Sequence, residues 1–332
     1  MNNKLISLIV PVKDEEEAIG PFLEAIFGTL DAAEFGLEVL FIDDGSVDAT
    51  VEQLERAAEH DPRVRYLKLS RNFGKEAAMS AGLDQARGDA VVPMDVDLQD
   101  PPELILEFVR LWEEGYDTVY GVRVSRDEDT KRKRASAGMF YRLFNSVSHT
   151  PIPSNAGDFR LLDRRVVEAL KKLPERNRFM KGLFSWPGYR SIGVPYERPA
   201  RQHGTTKFNY WKLWNFALDG FTSFSTMPLR VWSYVGAVVA LISFVYIAVI
   251  VAKTLIFGVE MPGYASLMSA VLFFGAMQMI SIGVLGEYLG RLFIESKQRP
   301  LYLIEHDSKV SVPYSLRPSN VAQHKRKRER VS

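Results

Sequence analysis

The chain has 332 residues, 46% of them apolar and 25% charged, with 42 basic against 41 acidic side chains and no cysteine. That length suits about two domains of ~150 residues, and the composition excludes wholesale disorder. A net charge of +1 gives no electrostatic footprint for nucleic acid, and the lack of cysteine excludes disulfides and thiolate zinc sites.

Met1 to Pro11 carries too short an apolar run for a signal peptide and reads as a first strand. Within it Ser7 to Val12 is nearly all apolar, as expected of a strand covered on both faces. Asp14 and Glu17 have capping-box spacing ahead of a helical pattern at Ala18, Phe22, Ala25 and Ile26. Leu37 to Ile42 is the second strand, ending in Asp43-Asp44-Gly45-Ser46, and Ser46 or Asp48 then caps a helix to about Glu59. Val64 to Leu69 is the third strand, and Arg71-Asn72-Phe73-Gly74-Lys75 leads into a helix of small residues from Ala77 to Ala86. Ala90 to Met94 is the fourth strand and Thr118 to Val122 the fifth. This alternation predicts a doubly wound parallel sheet. No G-x-G-x-x-G follows a strand, which argues against a dinucleotide-binding domain.

The fourth strand stops at Asp95 and Asp97, one residue apart. Ligands of open α/β sheets bind beyond the carboxyl ends of the strands, and magnesium or manganese is commonly held by one or two carboxylates plus substrate phosphates. An ordinary polar turn, ahead of a helix opened by Pro101-Pro102, would read the same way. What favours chemistry is the coincidence of Lys13 to Glu16, Asp43-Asp44 and Asp95/Asp97 at matching strand ends, which suits a nucleotide and its metal.

Arg123 follows the fifth strand, and Lys131-Arg132-Lys133-Arg134 opens a helix with Met139, Phe140, Leu143, Phe144 and Val147 at helical spacing. Such a basic amphipathic helix packs on a sheet or lies in a membrane interface. Asp158 stands after a glycine and just before an apolar strand, where a turn acid is equally at home. Arg201 to Phe208 is a cationic loop suited either to closing over a pyrophosphate or to linking segments, and His203 within it is incidental. Tyr210 to Thr226 is rich in aromatics, including Trp211, Trp214 and Phe221, as interfacial helices are. From Val231 to Ile256 and from Ala265 to Phe293 charges almost vanish, and each run exceeds the ~20 residues that span a bilayer. Two such runs joined at Gly258 to Gly263 favour a membrane hairpin over a pair of core helices. Arg230, Arg291, Lys297 and the run Lys325 to Arg330 put both termini and the preceding α/β domain in the cytoplasm, Lys253 being the one basic residue near the connecting loop. Glu287 has Arg291 four residues on as an interfacial partner. Gly286 and Gly290 form G-x-x-x-G, a pattern associated with helix association and so with a homo-oligomer.

Val10-Pro11-Val12-Lys13-Asp14-Glu15, Ile42-Asp43-Asp44-Gly45-Ser46-Val47-Asp48-Ala49-Thr50 and Met94-Asp95-Val96-Asp97-Leu98-Gln99 resemble the successive motifs of the family 2, GT-A fold glycosyltransferases. Arg201-Gln202-His203-Gly204-Thr205-Thr206-Lys207 resembles that family's R-x-x-G-x-[ST]-K segment. The resemblance spans about Leu5 to Lys297 and narrows to the polyprenyl-phosphate sugar transferases, which include dolichol-phosphate mannose synthase and bacterial bactoprenol glucosyltransferases.

The expected organisation is then an α/β GT-A domain at 1–208, Rossmann-like with a mostly parallel sheet, holding an interfacial amphipathic helix at 131–149. Interfacial helices at 209–229, a transmembrane hairpin at 230–293 (spans about 231–256 and 265–291) and a partly disordered cytoplasmic tail at 294–332 follow. The implied reaction is inverting transfer of a hexose from a nucleotide sugar to undecaprenyl or another polyprenyl phosphate at the cytoplasmic face of the inner membrane. UDP-glucose is the first choice of donor; GDP-mannose, UDP-galactose, UDP-GlcNAc and a UDP-aminoarabinose derivative stay open. The resemblance puts Mg²⁺ or Mn²⁺ on Asp97 and Asp95. It puts the nucleotide sugar against Pro11, Val12, Lys13, Glu15, Asp43, Asp44, Lys75, Asp95 and Gln99, and the lipid phosphate against Arg123, Lys133 and Arg134. Asp158 takes the family's base position, with Asp97, Lys207 and Arg201 serving the departing diphosphate. A phosphate monoester has its second pKa near ~6, so the acceptor is already largely a dianion at neutral pH, and Asp158 is expected to position more than to deprotonate. A processive polysaccharide synthase is disfavoured because no Q-x-x-R-W segment occurs and two spans are too few to enclose a channel. A non-catalytic membrane scaffold would have no need to keep Asp43, Asp95, Asp97, Asp158 and Lys207 together.

Overall fold

Short apolar runs alternating with amphipathic ones call for central strands covered on both faces, and the chain meets that demand with one eight-stranded sheet whose two edge strands stay partly exposed. The computed structural model describes residues 4–124, 153, 156–176, 178–197, 227–257 and 263–309. In order these form β1 (Leu5–Val12), α1 (Ile19–Leu30), β2 (Gly36–Asp43), α2 (Thr50–His60), β3 (Val64–Leu69), α3 (Lys75–Gln85), β4 (Ala90–Pro93), α4 (Leu104–Glu113) and β5 (Thr118–Arg123). They continue with β6 (Ala156–Asp163), α5 (Arg164–Lys171), α6 (Met180–Leu183), β7 (Ser191–Tyr196), α7 (Met227–Phe257), α8 (Tyr264–Ser296) and β8 (Ile304–Asp307). The helix expected at 131–149, with Lys133 and Arg134, the loop carrying Arg201 and Lys207, the interfacial segment up to 226 and the tail beyond 309 lie outside the described residues.

The strand order is β7-β5-β6-β4-β1-β2-β3-β8. Strands β1 to β4 run parallel, as the alternation predicts. The other half is mixed: β6 is antiparallel to both β4 and β5, and β7 is parallel to β5. The reversal of β6 matters for the site, because it brings that strand's first residues to the edge where β1, β2 and β4 end. Ala90 pairs with Asp163 and Val91 with Leu162; continued outward, that register sets Asp158 level with Asp95.

Alternate residues along each strand serve opposite faces. Ile6, Leu8 and Val10 pack with Phe22 and Ile26 of α1 and with Ile105 and Phe108 of α4. Ile9, Leu40 and Ile42 pack on the other side with Ala78 and Met79 of α3, Val166 and Leu170 of α5, and Met180 of α6. Each fully buried side chain of this size contributes about 1.5–3 kcal/mol. The small residues of α3 have a steric reason: a Cβ on Gly82 would meet Ile42 Cδ1 at 2.9 Å and Ile9 Cβ at 3.0 Å.

Local structure departs from the sequence reading at the first two helix starts. Neither Asp14 nor Glu17 caps α1, whose N-cap is Ala18 with no side-chain bond. Asp14 instead adopts a left-handed backbone (φ 52°) and its Oδ1 accepts from the Val47 N–H at 2.9 Å. Glu16 accepts from the Ala49 N–H at 2.8 Å, while Ser46 Oγ and Thr50 Oγ1 accept from the N–H groups of Asp14 and Glu15 at 2.9 Å each. The acids satisfy a facing loop rather than their own helix. At α2 the N-cap is Ala49, again with no side-chain bond, and neither Ser46 nor Asp48 takes that position, although Asp48 just before it accepts from the Thr50 N–H at 3.0 Å.

The expected hairpin segments form α7 and α8, and α7 already begins at Met227, inside the stretch expected to be interfacial. Among the described residues one stretch, Ala270–Ser296, is long and apolar enough to cross a membrane. Glu287 pairs with Arg291 at 2.8 Å, as its spacing suggests. A Cβ on Gly286 or Gly290 would meet nothing within 4 Å, so no described helix packs against that pair.

Residues past the hairpin correct the expectation of a tail from 294 and of a sheet complete by 208. Ile304–Asp307 returns as β8, antiparallel to β3 at the sheet edge. Asp307 takes the guanidinium of Arg65, which is 3% exposed, through bonds of 3.0 and 2.6 Å. Tyr302 donates to Asp84 at 2.6 Å, and Glu295 near the end of α8 accepts from the Arg176 N–H at 2.7 Å. The hairpin is therefore tied to the sheet at its C-terminal side by half-buried polar contacts that no local pattern reveals.

Candidate active site

The carboxyl ends of β1, β2 and β4, together with the start of α3, enclose a cleft of about 370 Å³. β1 and the loop after it contribute Pro11, Val12, Lys13 and Glu15, and the turn after β2 contributes Asp44. Asn72, Gly74, Lys75 and Ala78 form the α3 side, and Asp95, Val96 and Asp97 the β4 side. Parallel strands that end together make such a crevice where their connections diverge to opposite faces.

The two acids at the end of β2, Asp43 and Asp44, divide their work. Asp44 lines the cleft, yet its oxygens accept from the N–H groups of Phe73 and Gly74 at 2.7 and 2.9 Å, which braces the entry into α3. Burial raises its carboxyl above the usual range against those two bonds. Asp43 is fully buried and does not line the cleft. One oxygen accepts from the Ser46 N–H at 3.1 Å, and Oδ2 has no hydrogen-bond partner among the described residues. The expected nucleoside contact thus corresponds to a carboxylate within the wall, with one acceptor unsatisfied. Gln99 is likewise 5% exposed and off the lining, its N–H donating to Asp97 Oδ1 at 3.2 Å and its Oε1 without a partner among the described residues. Between them Leu98 holds φ 51°, a conformation a leucine adopts only under tertiary constraint.

Asp95 and Asp158 meet through one ammonium. Lys75 Nζ stands 2.6 Å from Asp95 Oδ1 and 3.3 Å from Asp158 Oδ2. Burial alone would push the Asp158 carboxyl up, but Lys75, Lys181 and Arg160 hold it below the usual carboxylate range. Next to Lys75, Glu76 accepts from the Met180 N–H at 3.1 Å, and burial followed by the charge of Asp158 pushes it up to about 7. Of two neighbouring acids, then, one is firmly ionised and the other titrates near neutrality. Arg123 donates to the Tyr196 hydroxyl at 3.2 Å and lies 3.9 Å from buried Asp100. Its guanidinium covers Gly157, where a Cβ would come within 2.9 Å of Nη2. A glycine before Asp158 thus lets a cation approach the backbone beside that acid.

Asp95 and Asp97 offer oxygen donors only, and no group of three or more His, Cys, Asp or Glu among the described residues could hold a metal by itself. That donor set fits a hard divalent cation completed by phosphate and water, and does not fit an all-protein zinc site. Glu76, Asn72, Lys181, Tyr196 and Asp100 were not singled out from sequence. Glu76 and Lys181 reach Asp158 from two helices, α3 and α6, that become neighbours only in the folded chain.

Residues 7–171 match the family described as Glycosyl transferase family 2, and residues 227–292 match the GtrB C-terminal hairpin. The bactoprenol glucosyl transferase of Shigella phage SfV is 52% identical over 302 residues, covering 91% of this chain and 98% of that one. A prophage bactoprenol glucosyl transferase homolog of Escherichia coli K12 is 51% identical over 304 residues, covering 92% and 99%. An uncharacterized glycosyltransferase of Synechocystis is 50% identical over 299 residues, covering 90% and 94%.

Proposed function

Because the chain belongs to glycosyl transferase family 2, we propose that this glycosyltransferase moves glucose from UDP-glucose to a polyprenyl phosphate, undecaprenyl phosphate in the first instance. The observation that carries the reading is the cleft lined by Asp95, Asp97 and Lys75, whose ammonium bridges Asp95 to Asp158, in a chain whose near relatives are bactoprenol glucosyl transferases. The hairpin match supports a lipid acceptor. In this reading α7 and α8 both span the inner membrane, with the sheet and both termini on the cytoplasmic side.

A lipid phosphate oxygen attacks the anomeric carbon of the donor in line. The bond from that carbon to the diphosphate breaks, the electron pair leaves with the nucleotide, and the configuration inverts. Asp97, with Asp95, is the pair suited to Mg²⁺ or Mn²⁺, which when bound neutralises the charge growing on the leaving diphosphate. Lys75 adds a positive charge beside the same phosphates. The walls at Pro11 to Glu15 and at Asp44 receive the nucleoside. Arg123 offsets repulsion between the acceptor phosphate and the donor, and Lys133, Arg134, Arg201 and Lys207 supply further cations from segments outside the described residues.

Asp158 positions rather than deprotonates. A carboxylate held below its usual range is a poor proton acceptor, and the phosphate needs no base at neutral pH. Its remaining use is to hold Lys75 and orient the acceptor.

The test is turnover by the purified full-length protein with a short-chain polyprenyl phosphate and each of UDP-glucose, UDP-galactose, UDP-GlcNAc, GDP-mannose and a UDP-aminoarabinose derivative. UDP-glucose should give glucosyl lipid fastest. Faster use of another donor would reassign the sugar, and release of UDP with no lipid product would remove the acceptor from the proposal.

A further inference from the structure

Lys75 is the first residue of α3, and its position is over-determined by its neighbours. Asp44 holds the N–H groups of Phe73 and Gly74, so the chain enters the helix at a set height. Glu76 is tied to the Met180 N–H at 3.1 Å on the other side. The ammonium is thereby placed between acids on two different strands, 2.6 Å from Asp95 Oδ1 and 3.3 Å from Asp158 Oδ2. A divalent cation binding the paired acids needs a carboxylate oxygen at ~2.0–2.1 Å. At Asp95 it meets a full positive charge already bonded to the oxygen it seeks.

Resting on the reading that Asp95 and Asp97 are the cation pair, we propose that Lys75 is a built-in competitor for the cation. Its ammonium opposes binding of a divalent ion to the acids alone, and the ion enters only with a nucleoside diphosphate, whose negative charge draws the ammonium from Asp95 toward phosphate and Asp158. Two consequences follow from that exchange. The protein does not hold free metal in a way that would trap phosphate unproductively. Arrival of donor is also transmitted to Asp158, because the residue that releases Asp95 is the one that Asp158 binds. Lys75 acts here as a positioning residue whose partner changes with the occupancy of the donor side.

The experiment uses Mn²⁺ as the probe and the full-length protein in detergent micelles, with free Mn²⁺ followed by electron paramagnetic resonance, with and without UDP. The native protein should bind Mn²⁺ weakly alone and far more tightly with UDP. Lys75→Met should bind Mn²⁺ alone about tenfold more tightly than the native protein, the direction expected when a neighbouring like charge is removed, and should depend less on UDP. Lys75→Gln is read in the same way, so misfolding of one variant does not decide the outcome. Lys75→Arg should retain weak binding, and Asp95→Asn added to Lys75→Met should cancel the gain. If the neutral variants bind Mn²⁺ alone no better than the native protein while UDP-dependent binding persists, the competitor proposal is overturned and the metal reading stands. If the native protein takes up no Mn²⁺ even with UDP, the metal reading fails and the proposal falls with it.

Discussion

Replacing Asp158 by Asn separates a base from a positioning group, because the structure assigns different pH signatures to the two. The substitution keeps size and removes one negative charge from a side chain that is 25% exposed and 3.3 Å from the Lys75 ammonium. At an effective dielectric of ~20 that attraction amounts to about 5 kcal/mol, but Lys75 is 46% exposed, and solvent screening reduces it to about 1 kcal/mol. Releasing Lys75 by that amount, with the ~10²-fold sensitivity of such reactions to misplacement, gives an expected loss in kcat/KM of about 10²–10³. The assay is glucosyl transfer to a short polyprenyl phosphate from pH 5 to 9, native against variant. With Asp158 held below its usual range, it contributes no acid limb in that interval. The limb near ~6 belongs to the acceptor's second ionisation and should persist in Asp158→Asn, with the whole profile lowered evenly. A limb present in the native protein and missing from the variant would refute this and make Asp158 the base. Activity within threefold of native across the range would remove both roles.

Chelation should abolish transfer, with Mg²⁺ or Mn²⁺ restoring it; full turnover in EDTA would remove the purpose assigned to Asp95 and Asp97. Glu76, pushed up to about 7 from 4.5, keeps in the folded state a proton that the unfolded chain releases. Its contribution to stability is therefore present below about pH 4.5 and lost as pH rises through about 7, a difference of at most about 3 kcal/mol. Thermal unfolding of Glu76→Gln in detergent should show a shallower decline of Tm over that interval, and an unchanged slope would contradict the burial assigned to Glu76. At the far edge of the sheet, Arg65→Met leaves Asp307 and Glu38 without their shared cation and should cost about 3 kcal/mol. Limited proteolysis between 297 and 309 reads it, since loss of the pair frees β8 first; no change in cleavage rate would mean that the strand is held by its backbone bonds alone.

Much of the catalytic half was legible because its signals are local. Strands β1 to β4 appear as buried apolar runs, and the acids and turn residues mark where each ends. Asp95 and Asp97 could be picked out since a strand terminus carries its following residues to the sheet edge whatever the rest of the chain does. The capping box at Asp14 and Glu17 misled for a related reason: spacing gives the residues within reach along one helix and is silent about a facing loop. Asp43 was assigned to the ligand from its motif, whereas its burial depends on how β2 sits between β1 and β3. Nothing in the stretch from 297 to 309 advertises β8, which is a short edge strand paired to a partner more than two hundred residues away.

The class of fold, the order of the first strands, the long apolar helices and the chemical character of the cleft could all be read along the chain, since each depends on residues close in it. Tertiary structure alone decided that β6 runs backwards and so sets Asp158 beside Asp95, that Lys75 joins them, and that Glu76 is forced to titrate near neutrality. Those outcomes are sums of burial and charge over side chains brought together from distant strands and helices, and one-dimensional spacing does not contain them.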